Sequence, residues 1–201
     1  MSEITNSREL NLESLDNLVG QDPADLLITY GPTKRYVNNY HWHSPNVGIV
    51  ASYSPTEKDV EGHFGVFRGV DQVESFAQAT VGSCSLFLEC RKLGLTPTEL
   101  SKKFTPRFIS IGHVAFHYYL AQGEILVNFG IIKFNKFRQM VCDGRIYKVS
   151  NDLDLDEYFS SFNEERLLSY DLSPDFILVA ELFDITARGI KNEVINKYLQ
   201  Q

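Results

Sequence analysis

The segment from Gly69 to Gly94 constrains the fold of this chain more than any other segment does. Its apolar residues recur at helical spacing, namely Val70, Val73, Phe76, Ala77, Val81, Cys84, Phe87 and Leu88. Between Asp71 and Glu89 the only charged side chain is that of Glu74. A helix with so few charges is typically buried on most of its sides. The rest of the chain is therefore expected to surround it, and the single carboxyl group of Glu74 requires an explanation.

Strand-like segments lie on both sides of this helix in the sequence. Residues 47–53 are rich in β-branched and aromatic side chains, and residues 35–42 are expected to pair with them as a hairpin. Three later stretches predict a meander of strands: 108–114, 124–134 and 138–149. A tight hairpin turn is expected at Asp143-Gly144. This order predicts an α+β architecture in which an antiparallel sheet wraps around one long helix.

The chain is expected to divide into three parts. Residues 1–30 predict an exposed N-terminal lead-in, 31–149 the main domain, and 150–201 a C-terminal extension packed on that domain. Within the extension, residues 176–185 predict a final strand and residues 192–201 a short helix.

Charge and cysteine content limit the class of protein. The formal net charge of -7 does not supply the positive field that nonspecific binding to nucleic acid needs. No apolar run predicts a signal peptide or a membrane span. The three cysteines, Cys84, Cys90 and Cys142, show no zinc or disulfide spacing and indicate reduced thiols. We therefore expect a cytoplasmic protein with no nucleic-acid or membrane partner.

One run of residues resembles a known family. Gly62-His63-Phe64 is followed by Gly69, and then by Glu74 with Ala77-Gln78-Ala79. This run resembles the core of the 3-hydroxyacyl-acyl-carrier-protein dehydratases of fatty-acid and polyketide synthesis. In that family a GHF tripeptide precedes a glycine-containing loop and a long apolar helix that carries a Glu or Asp. The resemblance covers roughly residues 33–149. The chain departs from the family pattern because no proline lies between His63 and Glu74.

The resemblance implies a hotdog fold and a division of catalytic roles. His63 would take the proton from C2 of a 3-hydroxyacyl thioester, and Glu74 would handle the departing C3 hydroxyl. The helix start at Gly69 would offer backbone N–H groups to the thioester carbonyl. Phe64, Val70 and Gln78 would complete the substrate site. The expected reaction requires no metal and no organic cofactor.

The resemblance also implies partners. The substrate would arrive on an acyl carrier protein or on coenzyme A. The site would lie across the interface of a homodimer or higher homo-oligomer, with the histidine from one subunit and the acid from the other. Four basic residues are candidates to meet an acidic carrier: Arg68, Lys102, Lys103 and Arg107.

Other functions remain open at this point. A hotdog thioesterase would use the helix carboxylate to activate water or to attack the thioester. An isomerase or cyclase acting on a similar intermediate is a variant of the dehydratase. A non-catalytic hotdog protein would bind an acyl chain or complete a partner enzyme, and the missing prolines favour it modestly.

Further histidines and serines are expected to be structural. His41 and His43 flank Trp42, and on a regular strand both rings would point to one face, where they could bind a metal. No third ligand is evident, so a packed or exposed strand face is the favoured interpretation. Ser83 and Ser85 lack the G-x-S-x-G elbow of serine hydrolases.

Overall fold

The computed structural model describes residues 15–200. The expected lead-in therefore lies partly outside the described residues, namely in its positions 1–14. Its described part is not exposed as expected, because Leu18, Leu26 and Leu27 are fully buried in the main core. The short helix α1, Pro23–Leu26, begins at Asp22, whose side chain accepts a hydrogen bond from the Ala24 N–H.

The strands are, in chain order, β1 Asn39–Ser44, β2 Gly48–Tyr53, β3 Val66–Phe67, β4 Phe104–Ser110, β5 His113–Phe116, β6 Leu120–Ala121, β7 Ile125–Lys136, β8 Gln139–Val149 and β9 Ile177–Lys191. The remaining α-helices are α2 Glu57–Val60, α3 Gly69–Val81, α4 Glu89–Leu93, α5 Pro97–Lys103, α6 Leu155–Phe159, α7 Glu164–Ser169 and α8 Asn192–Leu199. A π-helical segment, Gly82–Leu88, joins α3 to α4. Helix α3, this segment and α4 together form what we call the central helix.

One antiparallel sheet holds most of the strands, in the order β1-β2-β7-β8-β9-β4. Strand β5 follows β4 along the same edge by pairing with the other half of β9. The predicted α+β architecture is confirmed, with the central helix against the sheet. Strand β9 lies between β8 and β4, so the sheet extends well beyond residue 149. The expected extension thus supplies an inner strand of the main domain as well as a covering layer.

Two glycines let the central helix approach the sheet closely. Gly130 on β7 faces Gly144 on β8. A Cβ atom on Gly144 would come within 2.3 Å of the Phe76 ring, and one on Gly130 within 2.6 Å of Thr80 Cγ2. The fully buried Phe76 therefore sits directly on bare sheet backbone.

The expected hairpin at Asp143-Gly144 is wrong, because both residues lie inside β8. The glycine is needed there for the contact with Phe76 and not for a turn. The chain reverses instead at Phe137-Arg138, where both residues have positive φ angles of 56° and 59°. Two consecutive left-handed residues are the geometry of a tight hairpin turn whose twist matches the flanking strands.

The C-terminal extension also covers the outer face of the sheet. Phe159 of α6, Leu167 of α7 and Phe162 from the connection between them pack with Val50 and Phe129 of the sheet in a second buried cluster. The sheet is thus packed on both faces, with the central helix on the inner face and the extension on the outer one. In the described chain, no helix is long and apolar enough to span a membrane.

The close approach at Gly144 can be tested by adding one methyl group. Gly144→Ala is expected to lower the free energy of unfolding by about 1–3 kcal/mol, because the new Cβ overlaps Phe76 and the Phe129 carbonyl oxygen. Gly189→Ala is the matched control in the same sheet, because its Cβ would meet nothing closer than 3.5 Å. Urea unfolding followed by circular dichroism measures both. Equal stability of the two variants would contradict the packing argument.

Candidate active site

Glu74 lies in the first half of the central helix, and Gln78 fixes its carboxyl group. Gln78 Nε2 donates to Glu74 Oε1 at 2.9 Å and to the Lys34 carbonyl at 2.8 Å. Gln78 Oε1 accepts from the Tyr36 N–H at 2.8 Å. The glutamine side chain is completely buried, and these bonds satisfy both ends of its amide. It therefore joins the 34–36 segment to the helix and holds the Glu74 carboxyl in one orientation.

Burial raises the pKa of Glu74 above its ordinary value. Desolvation is the largest cause, the negative charge of Asp71 acts in the same direction, and the hydrogen bond from Gln78 opposes both. A carboxyl group with a raised pKa is better suited to donate a proton than one with an ordinary pKa.

Glu74 lines a cavity of about 130 Å³ between the central helix and the β4 edge. Ala77, Val81, Pro106, Phe108 and Ala187 supply apolar walls, and Tyr30 and Arg107 supply the other polar groups. Burial and the nearby Glu74 raise the pKa of Tyr30, so its hydroxyl stays protonated and can donate a hydrogen bond. The sequence did not single out Tyr30, because only the tertiary fold brings it to the helix.

His63 lies in a different cavity of the same chain. It is exposed in the loop between α2 and β3, where Gly62, Phe64 and Gly65 all have positive φ angles. Its cavity, of about 550 Å³, is also lined by Asp59, Arg68 and Asp71. The two residues expected to act together are therefore not brought into one cavity within a single chain.

The helix start carries the remaining expected site residues. Phe64 is fully exposed and Val70 is two-thirds exposed, so each presents apolar surface to solvent. Gly69 lies under the ring of Phe116, and a Cβ atom there would come within 2.8 Å of that ring. Arg68, which precedes the helix, forms a bidentate ion pair with Asp71 at 2.5 and 2.9 Å.

The expectation that His41 and His43 share one strand face is wrong. A β-bulge between Tyr40 and Trp42 shifts the register of β1. His43 faces the central helix, where Ser83 Oγ lies 2.8 Å from its Nε2 and the Leu18 N–H donates to its Nδ1. Burial lowers the pKa of His43 to about 4, so it is a neutral core residue. Among residues 15–200, no group of three or more His, Cys, Asp or Glu side chains could hold a metal.

Comparison with known proteins gives similarity in structure only. No family model and no curated protein sequence matches the chain. The dehydratase heterocomplex ApeI:P from Xenorhabdus doucetiae matches with a TM-score of 0.59 and 9% identity, over 89% of this chain and 98% of that chain.

Two further solved structures match with TM-scores below 0.5. The PaaI protein of the E. coli phenylacetic acid degradation operon has a TM-score of 0.44 and 11% identity, over 76% of this chain and 78% of that one. A hypothetical thioesterase with coenzyme A from Streptococcus pneumoniae TIGR4 has a TM-score of 0.43 and 8% identity, over 76% and 84%.

The pH dependence of stability tests the burial of Glu74. The folded state raises the pKa of Glu74. The stability that its protonated form contributes is therefore fully present at pH values below its ordinary pKa of 4.5. This stability is lost as the pH rises through the folded-state pKa. Relative to Glu74→Gln, the wild type is expected to lose stability over that window. Urea unfolding at a series of pH values measures this difference.

Exposed Glu165→Gln is the control for removing one negative charge. A stability difference between wild type and Glu74→Gln that stays constant from acidic to neutral pH would contradict the raised pKa.

Proposed function

The chain has a hotdog fold, and we propose that it is a dehydratase-like enzyme acting on a 3-hydroxyacyl thioester. The observation that carries this proposal is Glu74, a carboxyl group with a raised pKa, held by Gln78 in a cavity with apolar walls. Such a group is suited to protonating a hydroxyl group as it leaves. The structural similarity to the dehydratase heterocomplex, with a TM-score of 0.59 at 9% identity, supports the fold alone.

In the proposed reaction His63 takes the C2 proton and Glu74 protonates the C3 hydroxyl, which leaves as water. The electrons of the C2–H bond form the new double bond. The first backbone N–H groups of the central helix, at Gly69 and Val70, would stabilise the negative charge on the thioester oxygen. This requires the half-exposed ring of Phe116 to move off Gly69. Gln78 is a positioning residue for Glu74, since its amide is fully occupied.

We further propose that the complete site forms between two subunits. His63 and Glu74 line separate cavities in one chain, so a second chain is needed to bring such a pair together. The β4-β5 edge is the natural place for it, because this outermost edge exposes Phe108, Ile109, Ile111 and Phe116. Pro106, Arg107 and Phe108 on β4 also line the Glu74 cavity.

The substrate would arrive on an acyl carrier protein or on coenzyme A. Both carry phosphate groups and a thioester, and an acyl carrier protein is acidic. Arg107 lines the Glu74 cavity itself, while Lys102 and Lys103 lie in the last turn of α5, immediately before β4. These three cations would meet a phosphopantetheine arm entering along that edge. The apolar residues of the cavity would take the acyl chain.

Thioester hydrolysis is the second candidate function. The observation in its favour is that Glu74, Tyr30 and Arg107 share one cavity that does not include His63. Glu74 would then activate water and Tyr30 would donate a hydrogen bond to the carbonyl oxygen. A non-catalytic role beside a different hotdog subunit would leave both Glu74 and His63 dispensable.

Mixing two inactive variants tests the composite site. His63→Ala and Glu74→Gln are each expected to abolish dehydration of a 3-hydroxyacyl carrier protein. An equimolar mixture, after subunit exchange, should recover about one quarter of the wild-type rate, because half of the dimers are mixed and each mixed dimer holds one intact site.

The matched control for His63 is Lys58→Ala, which alters the same cavity and should leave the rate unchanged. Two inactive variants that stay inactive after verified subunit exchange would place both groups in one chain or remove His63 from the mechanism. Release of the free carrier thiol without loss of water, retained in His63→Ala and lost in Glu74→Gln, would favour the thioesterase.

A charge on the exposed edge tests the proposed interface. Ile109→Glu should convert the dimer to a monomer and abolish turnover, because the carboxylate would be buried without a partner. Leu168→Glu is the matched control, since Leu168 is equally exposed on α7 and far from the β4-β5 edge in the sheet order. Light scattering after size exclusion measures the mass. A dimer that survives Ile109→Glu would require another interface.

A further inference from the structure

A serine, a histidine and an aspartate lie in line on the outer face of the sheet, on the opposite side from the central helix. His41 Nε2 is 2.7 Å from Ser52 Oγ. His41 Nδ1 is 2.6 Å from Asp156 Oδ1. The three residues come from three elements, namely β1, β2 and α6. None of them contributes to the Glu74 cavity or to the His63 cavity.

Local features of the chain place each of the three. The β-bulge in β1 turns His41 onto the outer face, beside the neighbouring strand that carries Ser52. The His41 ring stacks on Phe159 of α6, with ring centres 5.9 Å apart. Asp154 caps the start of α6 by accepting from the Glu157 N–H, which sets Asp156 in the first turn of that helix. Asp156 thus reaches the histidine only because the extension covers the sheet.

The contacts of the imidazole define its hydrogen-bonding pattern. An ionised Asp156 can only accept, so Nδ1 of His41 carries a proton and donates it. In a neutral ring Nε2 then has a free lone pair, which accepts from the hydroxyl of Ser52. This is the arrangement in which a histidine acts as general base toward a serine and an aspartate holds the ring.

A cavity of about 240 Å³ opens at this group, and Ser52, His41 and Asp156 all line it. Asn38 lines it too, with its Oδ1 held by the Ser54 N–H at 2.8 Å, so its side-chain amide can serve as a hydrogen-bond donor to an oxyanion. Ser52 and His41 are buried, with 4% and 7% of their surface exposed, whereas Asp156 is mainly exposed. The cavity is below the size of typical drug-sized pockets, which suits a short acyl group.

We propose that Ser52, His41 and Asp156 form a second catalytic site, which hydrolyses small acyl esters or thioesters. Ser52 Oγ attacks the acyl carbonyl carbon while its proton passes to His41 Nε2. The bond to the leaving oxygen or sulfur breaks, and that atom takes the proton from His41. Water then attacks the acyl-serine, with His41 again accepting a proton and returning one to Ser52.

A structural tie between α6 and the sheet would need only the pair of His41 and Asp156. It would not need the second ring nitrogen to face a serine hydroxyl on a cavity wall. Ser52 lies within a strand and not on a strand-to-helix elbow, so the assignment rests on geometry and not on a sequence motif.

The test is reaction of the intact protein with a small alkyl fluorophosphonate, followed by intact-mass and peptide mass spectrometry. One adduct on Ser52 is expected, with none in Ser52→Ala. Exposed Asp156→Asn should fold normally, yet label at least about tenfold more slowly because the ring loses its orienting carboxylate. Thermal unfolding verifies the fold of each variant.

Two matched controls separate the triad from its surroundings. Ser160→Ala removes a hydroxyl at the end of α6, which donates to the Glu157 carbonyl, and Asp152→Asn removes an acidic charge from the segment before α6. Both should label at the wild-type rate. The proposal is overturned if the wild type takes up no adduct, if the adduct persists in Ser52→Ala, or if Asp156→Asn labels as fast as wild type. The dehydratase proposal is unaffected by any of these results.

Discussion

The contact of Phe76 with the bare backbone at Gly130 and Gly144 determines where the rest of the molecule lies. It brings the central helix close to the middle strands and fixes the rotation of the helix about its axis. With Phe76 directed at the sheet, Glu74 points to the cavity near β4, and Ser75 meets Asn128 of β7 at 2.9 Å. A side chain on either glycine would disturb this packing and the orientation of Glu74 together.

A buried polar network then holds the helix to the segment before β1. Ser75 Oγ donates to the Tyr36 carbonyl at 2.7 Å, and Gln78 bonds both Tyr36 and Lys34. These bonds satisfy backbone groups of residues 34–36, and within residues 15–200 Gln78 is the hydrogen-bond donor to Glu74. The raised pKa of Glu74 follows, because desolvation outweighs that single bond. The fold thus holds Glu74 in an environment that disfavours its ionised form. Carboxyl groups in such environments are common at catalytic sites.

The sequence predicted the parts of the fold that local pattern determines. The near-absence of charge in the central helix predicted its burial, and it singled out Glu74. The hairpin of β1 and β2 and the final helix were also confirmed. The hairpin turn predicted at Asp143-Gly144 was wrong because both residues lie inside β8. In the sequence, a glycine required by a helix contact cannot be distinguished from one required by a turn.

Other features depend on tertiary contacts that no local pattern encodes. The β-bulge at His41 shifts the register of β1 by one residue. This shift changes the face of the sheet on which a side chain lies. Tyr30 joins Glu74 only in the folded chain. Strand β9 pairs with β8 and β4 across long sequence separations, so its place inside the sheet could not be distinguished from that of an appended strand.

The central claim is that Glu74 acts as an acid on a 3-hydroxyacyl thioester, and the mass of the carrier protein tests it most directly. A carrier protein loaded with 3-hydroxyacyl chains would be incubated with wild type and with Glu74→Gln, and its intact mass followed. The account predicts that the wild type removes one water from the loaded carrier and that the variant does not. No loss of water with any chain length, or a loss of water that persists in Glu74→Gln, would contradict it.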